Sequence, residues 1–451
     1  MNTQNKNITY DALVIGAGIA GGEAALNLAN TGFKVLLVEK DDSVGGKMIL
    51  LSKVFPTLDC SACITTPKFS EVARHPNITL FTGSEVSNIK KIGDNEFTAT
   101  VRKKPRYVHV DDCTACQKCE EACPVSVKDQ YQYNLVGRKA AYIPFSICSP
   151  KAAVIDLDNC TLCGACERVC PTNCIDFTME EEVYDLNVKT VVLSTGFNLF
   201  DPVKMPRYGY GVYKNVLTAM QMERQIAPTR PFNSVLRPGD GKVPDKVAYV
   251  LCTGSRDVSV GNPICSQICC MYSIKQAQLL MGALPMADIT IYYLNIRSFG
   301  KGFEEFYEQA KGMGVNFIKG KIGKISEKEN GNLVLRYEDI NAGKLKEAEH
   351  DMVVLSVGAL PNREPSGMFA DHLQLDKFNF VDQVDLMTSP SKTNIEGVFV
   401  AGTASAPMDI PDAILSAGSA SSEAISYLMK NTVSALQSPK WGVKVGQVSG
   451  C

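Results

Sequence analysis

The stretch Ala12-Leu13-Val14-Ile15-Gly16-Ala17-Gly18-Ile19-Ala20-Gly21 decides the fold. An apolar strand, Ala12 to Ile15, runs into a tight glycine turn and then into the helix-forming stretch Glu23 to Ala29. A second strand, Lys34 to Val38, ends at Glu39. Two parallel strands joined through a helix need a right-handed crossover, so this is one βαβ unit of a parallel sheet. Gly16 permits the turn, Gly18 lets the backbone approach a pyrophosphate, and Gly21 allows close helix–strand packing. The helix N-terminus adds amide donors and positive partial charge. Glu39 stands where a carboxylate accepts from adenosine ribose hydroxyls, with Lys40 beside it as a further candidate contact. The plain alternative is a glycine turn without a ligand.

Further along, the pattern changes between Tyr107 and Phe177 to cysteine-rich turns with almost no helical period, which predicts an inserted module. The α/β pattern resumes at the strand Lys189 to Gly196, and a proline- and glycine-punctuated connector runs from Pro206 to Pro244. A second nucleotide-type domain opens at Lys246 to Leu251. It continues through a helix Ser266 to Met281 and a strand Ile289 to Leu294, and closes at Met352 to Gly358. The last part is a strand, Val398 to Ala401, a glycine turn and a helix beginning near Pro411. The expected plan is a first part of a dinucleotide-binding domain (8–105), an insert (106–181), a second part with connector (182–244), the second domain (245–360), a returning C-terminal part (361–432) and a tail (433–451).

A chain of 451 residues is too long for one simple core, in keeping with two or three domains. Net charge is −2 without a run of like charges, so neither nucleic acid nor a membrane surface is an expected partner. The polar start, Met1 to Tyr10, lacks the regions of a signal peptide, and no stretch approaches the ~20 apolar residues of a membrane helix. Seventeen cysteines at two- and three-residue spacings, without an export signal, favour metal ligation in a reducing cytoplasm over disulfides. Oxygen-sensitive clusters would further suggest an anaerobe.

FAD rather than NAD is the expected ligand of the first domain because of the motifs beyond the glycine turn. Gly45-Gly46-Lys47 lies just past Glu39, Ser194-Thr195-Gly196 ends a strand, and Val398-Phe399-Val400-Ala401-Gly402 ends another. In this order of motifs the chain resembles the glutathione and thioredoxin reductase superfamily of two-dinucleotide-domain flavoproteins. That superfamily usually places Asp after the last glycine, where this chain has Thr403, whose hydroxyl could donate to a pyrophosphate oxygen. Ile410, Pro411 and Asp412 open a helix whose N-terminus would point at the flavin pyrimidine edge and favour an anionic reduced flavin. A capped surface helix is the alternative. The expected fold class is therefore α/β, a thioredoxin reductase-like two-dinucleotide-domain flavoprotein with an inserted two-[4Fe-4S] ferredoxin domain.

The run C-x2-C-x2-C-x3-C-P occurs twice: Cys113, Cys116, Cys119, Cys123 before Pro124, and Cys160, Cys163, Cys166, Cys170 before Pro171. Three thiolates at two-residue spacing wrap one cubane and the fourth reaches the other cluster. Cys113, Cys116, Cys119 and Cys170 are thus assigned to one [4Fe-4S] cluster, and Cys160, Cys163, Cys166 and Cys123 to its neighbour. Zinc motifs lack the third cysteine at two-residue spacing and the trailing proline. Cys252 ends a strand, and Cys265, Cys269 and Cys270 come at the start of a predicted helix, where Cys265 and Cys269 would share a face. That spacing alone leaves buried free cysteines as an equal reading.

Four further segments change the weighting: Phe55-Pro56-Thr57-Leu58-Asp59-Cys60-Ser61-Ala62-Cys63, Gly254-Ser255-Arg256-Asp257, Cys269-Cys270-Met271-Tyr272 with Lys275-Gln276, and Asp409-Ile410-Pro411-Asp412. Together they resemble the A subunit of heterodisulfide reductase (HdrA) through nearly the whole chain, in a form shorter than the long methanogen one. The resemblance implies that Cys252, Cys265, Cys269 and Cys270 ligate a third [4Fe-4S] cluster. It also implies a cytoplasmic complex with heterodisulfide reductase B- and C-like subunits and an electron-input module such as a hydrogenase or formate dehydrogenase. Pairing of two copies of the chain is a further association considered. Cys60 and Cys63 form a C-x-x-C that could be a redox dithiol or half of a shared cluster, and Cys451 could ligate in trans.

After Leu251 the turn Cys252-Thr253-Gly254-Ser255-Arg256 offers one glycine where a dinucleotide needs two or three, so direct NAD(P)H oxidation is not expected. Lys275 lies five or six residues past Cys269 and Cys270. It is read either as a cation tuning the flavin or as an exposed lysine. The function expected is an oxidoreductase exchanging electrons between FAD and [4Fe-4S] clusters, with flavin-based bifurcation or confurcation as its family role. A thiol–disulfide reductase using Cys60 and Cys63, and a relay protein without its own substrate, are the alternatives.

Overall fold

A computed structural model of the chain describes residues 8–437, with side chains from 9 to 430. Cys451 and most of the expected tail therefore lie outside the described residues. Two seven-stranded sheets carry the architecture. In the first, strand Ile8–Ile15 is flanked in parallel by Val35–Val38 and Glu182–Leu193. Ile78–Phe81 extends one side, and Val398–Val400 pairs in parallel with the end of Glu182–Leu193. Leu13, Val14 and Val35 to Val38 are buried on both faces, which is why these strands read as continuous apolar runs rather than alternating ones.

Glu182–Leu193 changes partner midway. Its first half pairs antiparallel with Glu96–Lys103, which forms a hairpin with Ser84–Gly93. Because Lys103 is the register partner of Glu182, the cysteine-rich insert occupies the position of a hairpin loop, and the sheet closes beneath it. The helix Ile19–Asn30 packs against the long helix Ile410–Gln437 through small buried residues, Ala24 and Ala25 facing Ala417, Ala420 and Ala424. Asn27 Nδ2 donates to Ser421 Oγ across that contact at 3.1 Å.

The second sheet runs in the order Val216–Thr218, Met352–Val357, Lys246–Thr253, Asp288–Tyr293, Asn316–Glu327, Leu333–Asp339, Lys344–His350. The first five strands are parallel and the last two turn back as antiparallel hairpins. One expectation is corrected here. The stretch 206–244 is more than a connector: Val216–Thr218 is the edge strand of this sheet, and helix Ala219–Ile226 comes directly after it. Three strand residues and eight helical ones are too few for a periodic signal. The legible sign was the capping box, in which Thr218 Oγ1 accepts from the Gln221 amide while Gln221 Oε1 accepts from the Thr218 amide.

Candidate functional site

A cavity of about 750 Å³ lies between the two sheets, within the range of cofactor sites. Gly16 and Gly18, Glu39 and Lys40, Gly46 and Lys47, Thr195 and Gly196, Thr403, Ile410 and Lys275 all line it. Each glycine of the first turn has a different job. A Cβ on Gly21 would lie 1.8 Å from the Gly16 carbonyl oxygen, and one on Gly46 would lie 3.1 Å from the Gly18 Cα, whereas a Cβ on Gly18 would meet nothing within 4 Å. Gly21 and Gly46 hold the loops together, and Gly18 leaves a hollow. Gly45 packs on Ile49, and Gly402 packs on Ala20 and Ala413, so both shape the walls from behind. The Gly402 amide already donates to Ser416 Oγ at 3.0 Å.

Glu39 is buried at the edge of this hollow and accepts from the amides of Ala17 at 2.7 Å and Asp41 at 3.0 Å. Burial, then the nearby Asp41 charge, push its carboxyl up to about 7. Lys47 Nζ donates to the Phe197 carbonyl at 2.6 Å, and burial lowers its pKa. Lys40 remains half-exposed, 4.0 Å from Glu364. Two buried polar atoms on residues lining the cavity, Thr195 Oγ1 and Gln276 Oε1, have no partner. Orphaned polar atoms on the wall of a cavity that also takes in the hollow glycine turn are what a polar ligand would satisfy. A dinucleotide cofactor therefore fits these residues. Pro411 and Asp412 are corrected: they are exposed, and neither lines the cavity, because the first helical turn presents Ile410 and Ala413 inward instead.

Lys275 is not an exposed lysine. It is 1 % exposed and ion-paired with Glu223 of helix Ala219–Ile226. Glu223 also accepts from Gln276 Nε2 at 2.6 Å, Ser52 Oγ at 2.6 Å and the Ser52 amide at 2.8 Å, while Lys275 Nζ donates to the Lys53 carbonyl at 3.0 Å. Burial would raise the Glu223 carboxyl, but Lys275 and these donors hold it below its ordinary value. Burial lowers Lys275, and Glu223 partly offsets that. Glu223 was not legible as a site residue, since its strand and helix were too short to recognise. Tyr133 of the insert also lines the cavity, and its carbonyl accepts from Gln221 Nε2 at 3.3 Å, so the insert is tied to the helix that carries Glu223.

Lys275 sits on helix Cys269–Ala283, whose first residues are Cys269 and Cys270. The expectation that Cys265 and Cys269 share a helical face is corrected. Gln267 adopts a φ of 61°, and the helix begins only at Cys269, leaving Cys265 on the preceding loop. Ser266 Oγ accepts there from the Ala359 amide at 2.8 Å. The loop nevertheless returns Cys265 to the group. Cys252, at φ 59°, interrupts the register of its strand between Val250 and Thr253. Burial, then Cys252 and Cys270, raise the Cys269 thiol; burial, then Cys252 and Cys265, push Cys270 up to about 11. Arg256 and Arg297 offset part of this at Cys252. Four mutually interacting thiols with flanking cations suit an anionic iron–sulfur group.

In the insert, Cys113, Cys116, Cys119 and Cys170 line one small cavity together with Cys174. Burial, then Cys113, Cys116 and Cys166, push Cys119 up to about 12, while Cys166 is raised by burial, Cys160 and Cys123. The fourth cysteine of each run thus lies beside the other run. Cys163 is exposed. Among the described residues no three His, Cys, Asp or Glu side chains gather tightly enough for a single ion; a four-iron body needs its thiolates wider apart. Cys60 and Cys63 open the helix Ser61–Arg74 and are hydrogen-bonded to each other; burial would raise the Cys60 thiol, but that bond and the Cys63 and Ala62 amides bring it below the usual thiol range. Cys148 is buried beside Arg106.

The model of a 4Fe-4S binding domain matches residues 153–176, which contain the second cysteine run. That of an NAD(P)-binding Rossmann-like domain matches residues 14–58. The fold is similar to Lactococcus lactis thioredoxin reductase, with a TM-score of 0.53 and 15% identity, covering 93% of this chain and 99% of that one. Thioredoxin reductase from T. acidophilum gives a TM-score of 0.51 at 15% identity, covering 93% and 98%. The iron-sulfur A subunit, form 2, of CoB–CoM heterodisulfide reductase from Methanopyrus kandleri is 43% identical over 438 residues, 96% of this chain and 66% of that protein. The A subunit of the H(2)/formate:CoB-CoM heterodisulfide,ferredoxin reductase of Methanococcus maripaludis is 44% identical, covering 93% and 64%. The A subunit of the ferredoxin:CoB-CoM heterodisulfide reductase of Methanosarcina mazei is 39% identical, covering 95% and 54%. The chain thus spans 54% to 66% of the length of these three relatives. No helix among the described residues is long and apolar enough to cross a membrane.

Proposed function

Since the chain belongs to the family of heterodisulfide reductase A subunits, we propose that it is the flavin and iron–sulfur part of such an oxidoreductase, exchanging electrons between FAD and three [4Fe-4S] clusters. The observation that carries this reading is the shared wall: one helix, Cys269–Ala283, contributes cluster-type thiols at its start and Lys275 to the cavity one and a half turns later. When bound, FAD supplies the exchange of an electron pair for single electrons, which clusters carry one at a time.

The chain's own residues bind and orient. The hollow at Gly18 and the amides at the helix N-terminus receive the pyrophosphate, with Thr195 and Thr403 as hydroxyl donors to the cofactor, and Glu39 accepts from the ribose. Lys275 holds a positive charge in a water-poor wall, where electrostatic interactions are strong. Glu223, fixed by Ser52 and Gln276, keeps that cation in place. Cys113, Cys116, Cys119 and Cys170 hold one cluster; Cys160, Cys163, Cys166 and Cys123 a second; Cys252, Cys265, Cys269 and Cys270 a third. On this reading the chain works in a complex with B- and C-like subunits and an electron-input module. Electron bifurcation or confurcation is its activity there, and a disulfide is the acceptor suggested by its relatives' names.

Reductive titration of the anaerobic chain with a one-electron donor tests this: about five electrons per chain are expected, two for FAD and one for each cluster. An uptake of two would remove the clusters, and one of three would remove the flavin. The half-buried Cys60 and the exposed Cys63, free thiols hydrogen-bonded to each other, favour a second reading as a redox dithiol. Alkylation of the reduced chain separates the two, since cluster ligands resist modification until iron is stripped.

A further inference from the structure

The two cysteine runs repeat each other up to the proline and diverge just beyond it. Cys123-Pro124-Val125-Ser126-Val127 aligns with Cys170-Pro171-Thr172-Asn173-Cys174, so two valines of the first run stand where the second has a hydroxyl and a thiol. Both reach Cys170. Cys174 Sγ lies 3.5 Å and Thr172 Oγ1 3.7 Å from Cys170 Sγ. At Cys123 the corresponding contact is the Val125 carbonyl oxygen, 3.8 Å from Sγ, and a carbonyl cannot donate. Cys174 is 4 % exposed and lines the same cavity as Cys113, Cys116, Cys119 and Cys170. Its carbonyl accepts from the His109 amide at 2.8 Å, which fixes its place.

We infer that Cys174, with Thr172, is a positioning residue that donates a hydrogen bond to the Cys170 thiolate and holds the cluster of Cys113, Cys116, Cys119 and Cys170 at a higher potential than it would have without that donor. The inference rests on the cluster reading of those four cysteines. An added electron increases the negative charge shared by the cluster and its thiolates. A donor to a ligating sulfur therefore stabilises the reduced state more than the oxidised one. A thiol is a weak donor, but here it is out of water and meets an anion. Thr172 is exposed, so water competes with it and its share is smaller. The consequence is a module of two near-repeats that is not symmetric at its fourth cysteines: the cluster held by Cys170 would gain potential from side-chain donors that Cys123 lacks.

The test is a potentiometric titration of the whole anaerobic chain monitored by electron paramagnetic resonance. Cys174→Val, which installs the residue of the other run, is expected to lower one ferredoxin-type midpoint and leave the other in place. The reduced-to-oxidised ratio at the original midpoint should fall about three- to tenfold, tenfold being about 59 mV for one electron. Thr172→Val, at an exposed position, should move the same midpoint less, and Cys174→Ser, which keeps a donor, should restore it. Unchanged midpoints in variants that keep the module's roughly eight iron atoms would overturn the inference. Retention of that iron by Cys170→Ala with its loss from Cys174→Val would do the same, by making Cys174 the ligand. A parent chain without acid-labile sulfide would instead fail the cluster reading beneath it, and the iron count tells the two failures apart.

Discussion

The two nucleotide-type domains begin alike and end with opposite turns. In each, a strand flanked in parallel on both sides runs through a glycine turn towards a helix: Ile8–Ile15 to Ile19–Asn30, and Lys246–Thr253 to Cys269–Ala283. The first turn is hollow, since a Cβ on Gly18 would meet nothing within 4 Å. The second is filled, since one on Gly254 would lie 2.1 Å from the Phe200 ring. Phe200 packs on that turn, and Cys252, Cys265, Cys269 and Cys270 gather around it. The lesson is that the βαβ frame supplies a helix N-terminus, while the packing of the turn decides which anionic group can use it.

The comparison breaks most severely at Gly21. Gly21→Ala drives a methyl into the Gly16 carbonyl, and a loss of about 3 kcal/mol or more is expected together with all flavin. Gly18→Ala should leave the thermal melt nearly unmoved while weakening flavin binding at least about tenfold, about 1.4 kcal/mol. A melt in which Gly18→Ala is the worse of the two would contradict the hollow. On the second side, Cys269→Ala should cost about four iron atoms per chain and leave the yellow cofactor in place. Loss of flavin with no change in iron would reverse the assignment of the two turns.

Between the domains stands the Glu223–Lys275 pair. Glu223→Gln leaves a buried ammonium without its anion, and a destabilisation of about 3–5 kcal/mol is expected. The double variant Glu223→Gln with Lys275→Met should recover much of it in a denaturant melt. The smallest effect concerns Glu39. Its folded pKa of about 7 exceeds the ordinary 4.5, so the folded apoprotein holds a proton that the unfolded chain has lost. This contribution to stability is whole below 4.5 and declines as pH rises to about 7. Ribose hydroxyls favour the carboxylate, so FAD should bind more tightly as pH climbs through that window. Glu39→Gln should flatten the dependence in calorimetric titrations.

What was legible in the sequence was whatever has a fixed local spacing. The glycine turn with Glu39, the strand ends at Gly196 and Gly402, and the two cysteine runs reflect chemistry that needs those residues at those separations. What escaped were partners made by folding. Glu223 sits on an eight-residue helix inside a stretch read as connector, and only the second sheet brings it to Lys275. Phe200 fills the Gly254 turn from fifty-odd residues upstream. The helix expected from Ser266 begins at Cys269 because Gln267 takes a left-handed conformation, which no periodicity reveals. Pro411 and Asp412 fit a helix start, but which residue of the first turn faces the cavity is decided by packing on Ala20 and Gly402 rather than by the capping pattern.

Anaerobic purification of the chain, with counts of flavin, iron and acid-labile sulfide on the same sample, tests the central claim most directly. One FAD and about twelve iron atoms with matching sulfide per chain are predicted. A colourless protein carrying neither flavin nor sulfide would contradict the account.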